Sequence, residues 1–375
     1  MGRNYSNWPA LYERYAGKLE DFWGRREARG RFQRQFDLFG LTFRLRSNVA
    51  EVMAAVDHAL PLYTRIERKP DAPEIGIQVV ARRGRLSTEP APEDLMQRIT
   101  YAGDGEWLAL HLGAWGQVHV DLGRGQATAV IAPSLAQRPD LFARCVLHTI
   151  LLNFIIAAGY GMLHASCLER DGRALLLLAP HNTGKSTTAL RLALAGWRLL
   201  TDSMVFVSSG EILPRIARIG AGSAKKNPQN PRNPRLKNES VRLLGFPVGQ
   251  IKLRADMAAQ FPQLRPYLAP ELVRDETKYR LDLRQAGVPV WETAVTPSRA
   301  TLCLIARHDA PDSRVTAVPP EQAWEAIMQN SLYFDGAAVW QRNLAQLAKF
   351  MEGTAVYRVM IGVNEDGMVK ALGGI

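Results

Sequence analysis

Hydrophobic positions along this chain of 375 residues change their period several times, and each change marks an element. Phe39, Leu41, Phe43 and Leu45 fall on alternate positions, which predicts a strand with one buried face. From Ser47 to Leu60 the spacing becomes helical behind a residue type that caps helices, so a helix is expected. Residues 75–81, 107–112, 117–122 and 127–131 return to strand-like runs joined by glycine-containing turns. This half, residues 1–135, reads as an α+β domain built on an antiparallel sheet, and Pro133 to Asp140 marks its end.

Residues 136–375 alternate helices with strands, the signature of an α/β domain. A helix is expected at 141–158, a strand at 162–168, a tight turn at Asp171-Gly172 and a strand at 173–178. A helix opening at Thr187 and a strand at 198–201 come next. Later patterns predict strands at 278–283, 300–306 and 355–360, with helices at 320–329 and 337–351. Residues 145–167 approach the length of a membrane span, but Gly159-Tyr160-Gly161 breaks them in two. A buried helix followed by a strand is expected there, and no membrane span.

Between the apolar run at 175–178 and the helix lies Ala179-Pro180-His181-Asn182-Thr183-Gly184-Lys185-Ser186, which has the spacing of a phosphate-binding loop. Ordinary residue frequencies supply about 0.03 such matches in a chain of this length, so chance explains it poorly. The physics is specific. Free amides at the start of a helix point into the loop, and the helix dipole adds positive potential there. Residues 179–187, Thr187 included, are therefore candidates for holding ATP, with Gly184 allowing close backbone approach and Lys185 reaching the outer phosphates. Ser186 and Asp202 offer oxygen ligands for Mg2+.

Composition adds less. At 47% apolar and 22% charged residues the chain is ordinary globular protein. Its net charge of +11 is concentrated. Arg215, Arg218, Lys225, Lys226, Arg232, Arg235, Lys237 and Arg242 stand against Glu239 alone between 214 and 242. That stretch contains three Asn-Pro pairs at 227–234 and is expected to be a loop, either simply solvated or serving phosphate or substrate. No sequence-specific contact with nucleic acid is expected from charge alone. The first 35 residues space aromatic side chains at near-helical intervals ahead of an arginine cluster, which suits packing against the body or binding a membrane or partner. Three cysteines far apart suggest neither a disulfide framework nor a metal site. The N-terminus lacks the apolar stretch of a signal peptide, and a cytoplasmic protein is expected.

The order Met162-Leu163-His164-Ala165, then the loop 179–186, then Leu199-Leu200-Thr201-Asp202-Ser203 resembles the HPr kinase/phosphorylase family and its serine-kinase relatives. About fifty residues carry the resemblance. It implies a core shared with phosphoenolpyruvate carboxykinase, use of ATP and Mg2+, and transfer of phosphate to a serine of a peptide or small protein. It also implies an oligomer, with His164 near the phosphates and Asp202 as the base that takes the serine proton. Lys278 matches a basic position in the later part of such kinases. The chain departs from that family in having Ser203 where a second aspartate is usual and Pro180-His181-Asn182 in a glycine-poor loop, and in lacking the Glu-Arg-Gly segment of the bifunctional enzymes. Those departures favour kinases of other serines over phosphorolysis or HPr itself. A regulatory nucleotide-binding module that controls a partner without transferring phosphate is the alternative.

Overall fold

A computed structural model describes residues 30–60, 74–82, 86–180, 182–209, 241–273, 276–291, 293–331 and 337–375. The protein is mixed α/β with several sheets, and it divides into two compact units after Ala158. The aromatic N-terminal segment through residue 29, the Asn-Pro repeats and all of the basic segment except Arg242 lie outside the described residues.

In the first unit, β1 (Phe32–Leu38), β2 (Leu41–Ser47), β3 (Glu74–Ala81), β4 (Thr100–Asp104), β5 (Trp107–His111), β6 (Gly116–Asp121) and β7 (Gln126–Ile131) form one sheet in the order β1-β2-β3-β7-β6-β5-β4. The expectation of an antiparallel sheet needs correcting, because β3 runs parallel to both β2 and β7. Helix α1 (Ala50–Ala59) makes the crossover from β2 to β3, which is how parallel neighbours are joined. Ser47 does not cap that helix; it ends β2, and its hydroxyl accepts the Val49 amide at 3.3 Å.

A second helix, α2 (Pro139–Ala157), belongs to the first unit, so the unit ends after it rather than near residue 135. The reason is packing: Phe154 on α2 meets Phe43 edge-on at 6.2 Å, and Phe43 stacks on Phe36 at 5.3 Å. By length and composition α2 is apolar enough to cross a membrane, yet 78% of its most apolar window is buried within the protein.

Most of the chain from Gly159 onward forms the second unit. Its first predicted strand, 162–168, is in fact two. β8 (Gly161–His164) joins a four-stranded antiparallel sheet with β12 (Met204–Ser209), β13 (Val241–Phe246) and β17 (Ala294–Val295). After Ala165 the chain switches sheets, and β9 (Ser166–Arg170) enters a six-stranded sheet. That sheet runs β11 (Arg198–Thr201), β9, β10 (Arg173–Leu178), β18 (Arg299–Arg307), β20 (Ala355–Ile361) and β19 (Arg314–Ala317). The β9–β10 turn has Asp171 at φ 54° and Gly172 at φ 78°, the left-handed pair that two-residue hairpins require.

β10 is parallel to β18, with Leu178 opposite Leu304. Leu175 and Leu177 enter one core cluster and Ala174, Leu176 and Leu178 another, so both faces of β10 are covered. Helix α3 (Lys185–Leu194) follows the loop and buries Ala189, Leu190 and Leu192 in the first of those clusters. A three-stranded sheet of β14 (Gln250–Arg254), β16 (Glu276–Asp282) and β15 (Leu268–Val273) adds Ile251, Leu253 and Leu281 to it. Helices α4 (Pro320–Gln329), α5 (Ala337–Met351) and α6 (Glu365–Gly373) complete the described elements used below.

Cys145, Cys167 and Cys303 are free and buried, and burial pushes the Cys145 and Cys303 thiols up to about 12 and Cys167 higher still. Since the thiolate is the reactive species, Ellman's reagent at mildly alkaline pH should modify none of the three in the native protein and all three after denaturation. A thiol that reacts at once in the native state would contradict this burial.

Candidate phosphate-binding site

The candidate loop is anchored at its start by hydrophobic burial: Ala174 to Leu178 of β10 are shut off from water, and Ala179 is 6% exposed. The chain then turns through Pro180, with the Thr183 amide donating to the Pro180 carbonyl at 3.3 Å. Asn182 sits at φ 62° and Gly184 at φ 100°, both left-handed. His181 lies outside the described residues. Gly184 is the N-cap of α3, and among the described residues no side chain caps that helix. Its opening amides, from Lys185, Ser186 and Thr187, are the donors that an α-helix leaves unpaired.

Gly184 is required here for two reasons. Its φ lies where a side chain is strained, and an added Cβ would stand 2.5 Å from Arg307 Nη2. Arg307 also donates from Nε to the Thr183 carbonyl at 2.9 Å. Nothing in the loop motif itself points to this arginine. It arrives by register: β18 continues three residues past Leu304, the partner of Leu178, and so carries Arg307 alongside the loop that follows β10. An arginine closing the apolar run at 300–306 was the available signal.

Lys185 and Asp202 are brought together. Lys185 Nζ donates to the Asp202 carbonyl at 3.3 Å and lies 3.7 Å from Asp202 Oδ1, with side-chain exposures of 12% and 4%. Burial pushes the Lys185 ammonium below its ordinary range; Asp202 opposes that shift, and the positive charge of Lys278 adds to it. Lys278, on β16, is thus within electrostatic reach of the loop lysine, and it also stands 3.8 Å from Glu276. Ser166, also outside the motif, is fully buried and donates a hydrogen bond from its hydroxyl to Asp202 Oδ1. Its polarity within the apolar stretch 162–168 was the only trace in the sequence.

The remaining candidates fall as follows. Ser186 is half-buried and Thr187 buried in the first turn of α3. His164 ends β8, exposed, opposite Met204 and therefore two residues beyond Asp202 in the paired strand, and its amide donates to the Asn330 carbonyl at 2.6 Å. Ser203, in the position of the usual second aspartate, donates its amide to Thr201 Oγ1 at 3.2 Å. Among the described residues no group of three or more His, Cys, Asp or Glu side chains is arranged to hold a metal.

No family model matches the chain, and no curated protein matches it. Among solved structures it is similar to the Hpr(Ser) kinase/phosphatase from Coxiella burnetii, at 12% identity over 57% of this chain and 88% of that one, with a TM-score of 0.27. The likeness is distant.

Gly184→Ala should lower stability by about 1–2 kcal/mol from the left-handed backbone alone, and by more with Arg307 in place. In an Arg307→Ala background the cost should fall toward the backbone value, as read from denaturant midpoints. Equal costs in the two backgrounds would show that the guanidinium does not rest on Gly184.

Proposed function

We propose that the second unit is a serine kinase: it binds ATP and Mg2+ at residues 179–187 and passes phosphate to a serine hydroxyl of a peptide or small protein. The observation that carries this reading is the buried meeting of Lys185 with Asp202 behind an uncapped helix start. The residues present suit an anion: a glycine whose Cβ position is filled by a guanidinium, two cations in Lys185 and Arg307, and free amides. Ser186 and Asp202 supply the hard oxygen donors that Mg2+ prefers. When bound, Mg-ATP supplies the phosphoryl group and an electrophilic phosphorus.

The chain's own residues have separable tasks in this reading. The opening amides of α3 orient the phosphates, and Lys185 and Arg307 offset negative charge that builds up during transfer. Ser166 fixes one oxygen of the Asp202 carboxylate by hydrogen bond. The other oxygen is left to take the proton of the incoming serine hydroxyl, as a general base does. His164, exposed at the end of β8, would lie near the phosphates in this reading. Ser203 in place of a second acid favours forward transfer over phosphorolysis and suits an HPr kinase-like kinase acting on serines other than that of HPr.

A second reading, a nucleotide-controlled switch without transfer, draws on the same contacts, since Asp202 is already engaged by Ser166 and Lys185. Asp202→Asn separates the two. With labelled ATP, Mg2+ and serine peptides encoded beside its gene, the wild type should label a serine. Asp202→Asn should then lose turnover by about 10²–10⁴-fold and keep nucleotide affinity, whereas Lys185→Ala should lose affinity. Nucleotide binding with no transfer to any such acceptor would overturn the kinase reading. Partner control surviving in Asp202→Asn would establish the switch.

A further inference from the structure

The candidate loop has a direction. Lys185 meets Asp202 on the β9 and β11 side of β10, so in the nucleotide reading above the outer phosphates lie toward that side of the sheet. The nucleoside end then points the other way, toward β18 and β20.

Those two strands run parallel to β10 and to each other, with Leu178 opposite Leu304 and Arg307 opposite Ile361. Their carboxyl ends therefore open on the edge where the loop begins, which is where parallel sheets hold ligands. β20 is two strands from β10, about 10 Å at ordinary strand spacing, and the ribose and base of a nucleotide held by its phosphates span that gap. Leu177, Ile305 and Ile361 share one core cluster with Leu190 of α3 and Met368 of α6, so both helices pack on the same face.

Beyond β18 and β20 the chain forms a stitched shelf. The His308 amide donates to the Ile361 carbonyl at 3.1 Å, the Val363 amide to the Ala310 carbonyl at 3.1 Å and the Asn364 amide to the Pro311 carbonyl at 2.9 Å. The Gly362 amide donates to Ser313 Oγ at 3.1 Å, and a Cβ on Gly362 would stand 2.6 Å from the Pro311 carbonyl oxygen. Asn364 in turn caps α6, its side chain accepting the Gly367 amide at 3.3 Å. The backbone on both sides of Val363 is thus fixed. Its side chain is nevertheless 68% exposed, the most of any large hydrophobic side chain among the described residues.

A lone exposed valine is ordinary on a protein surface, so its setting has to decide. Residues 308–313 hold Asp309 and Asp312, both exposed, and no lysine or arginine. Phosphate is repelled there, whereas a neutral ring is not. A cationic loop and a rigid, apolar, acid-flanked shelf two strands away match the two ends of a nucleoside triphosphate.

We infer that Val363, on the shelf of residues 308–313 and 361–364, receives the base of the bound nucleotide, with Arg307 on the strand between it and the loop. The inference rests on the nucleotide reading and adds to it the part of the ligand that separates ATP from inorganic tripolyphosphate.

Calorimetry with Mg2+ and either ATP or inorganic tripolyphosphate tests it on the wild type, Val363→Asn and Lys185→Ala. Val363→Asn replaces exposed methyl groups by a neutral amide. The wild type should bind ATP at least tenfold more tightly than tripolyphosphate. Val363→Asn should weaken ATP by about three- to tenfold and leave tripolyphosphate unchanged, and Lys185→Ala should weaken both. In wild-type NMR spectra the Val363 methyl groups should show nuclear Overhauser contacts to the base protons of ATP. Equal affinity of the wild type for the two ligands, ATP affinity unchanged in Val363→Asn, or methyl groups without such contacts would overturn the base site. Tripolyphosphate binding that depends on Lys185 would leave the loop reading standing in that case, and no binding of either ligand to the wild type would overturn both.

Discussion

Burial of β10 on both faces is the constraint on which the candidate site depends. Ala174 to Leu178 are no more than 1% exposed and feed alternate side chains into two separate core clusters. Each buried leucine contributes about 1.5–3 kcal/mol, so the strand has no cheap way to slide or rotate. Its C-terminal end is therefore a fixed point. The loop starts there, α3 leaves from it, and β9 and β18 flank it in set registers. A flexible loop can cradle an anion only if its two ends are this well anchored.

Register then decides which polar groups reach the loop. β18 outruns its partner and delivers Arg307; β9, entering antiparallel on the other side, delivers Ser166 at its first residue. β11 lies next to β9 and ends just before Asp202. Three neighbouring strands thus bring a guanidinium, a hydroxyl and a carboxylate toward one loop. The Lys185 ammonium sits among them at a desolvation cost that Asp202 partly offsets, and a bound anion would offset it further.

Much of this was legible in the chain. The motif 179–186, the apolar run before it and the helix after it are local features, with spacing set by backbone geometry, and the elements stand where the periodicity put them. The strand and helices at 299–307, 320–329 and 337–351 were likewise readable from period alone. The stretch 162–168 was not. Its apolar run is equally compatible with one strand or two, and Ala165 carries no turn chemistry to reveal the switch between sheets. Parallel pairing of β3 with β2 and β7 was also hidden, since alternation reports which face is buried and says nothing of strand direction.

What the sequence determined by itself, then, was the local chemistry: a glycine where the backbone must be left-handed, a lysine and a serine opening a helix, an aspartate ending a short strand. What only the tertiary structure decided was the company those residues keep. Ser166 against Asp202 and Arg307 on Gly184 join residues 36 and 123 positions apart. Such contacts are set by sheet order and register, which are properties of the whole core, and no local pattern of residue types encodes them.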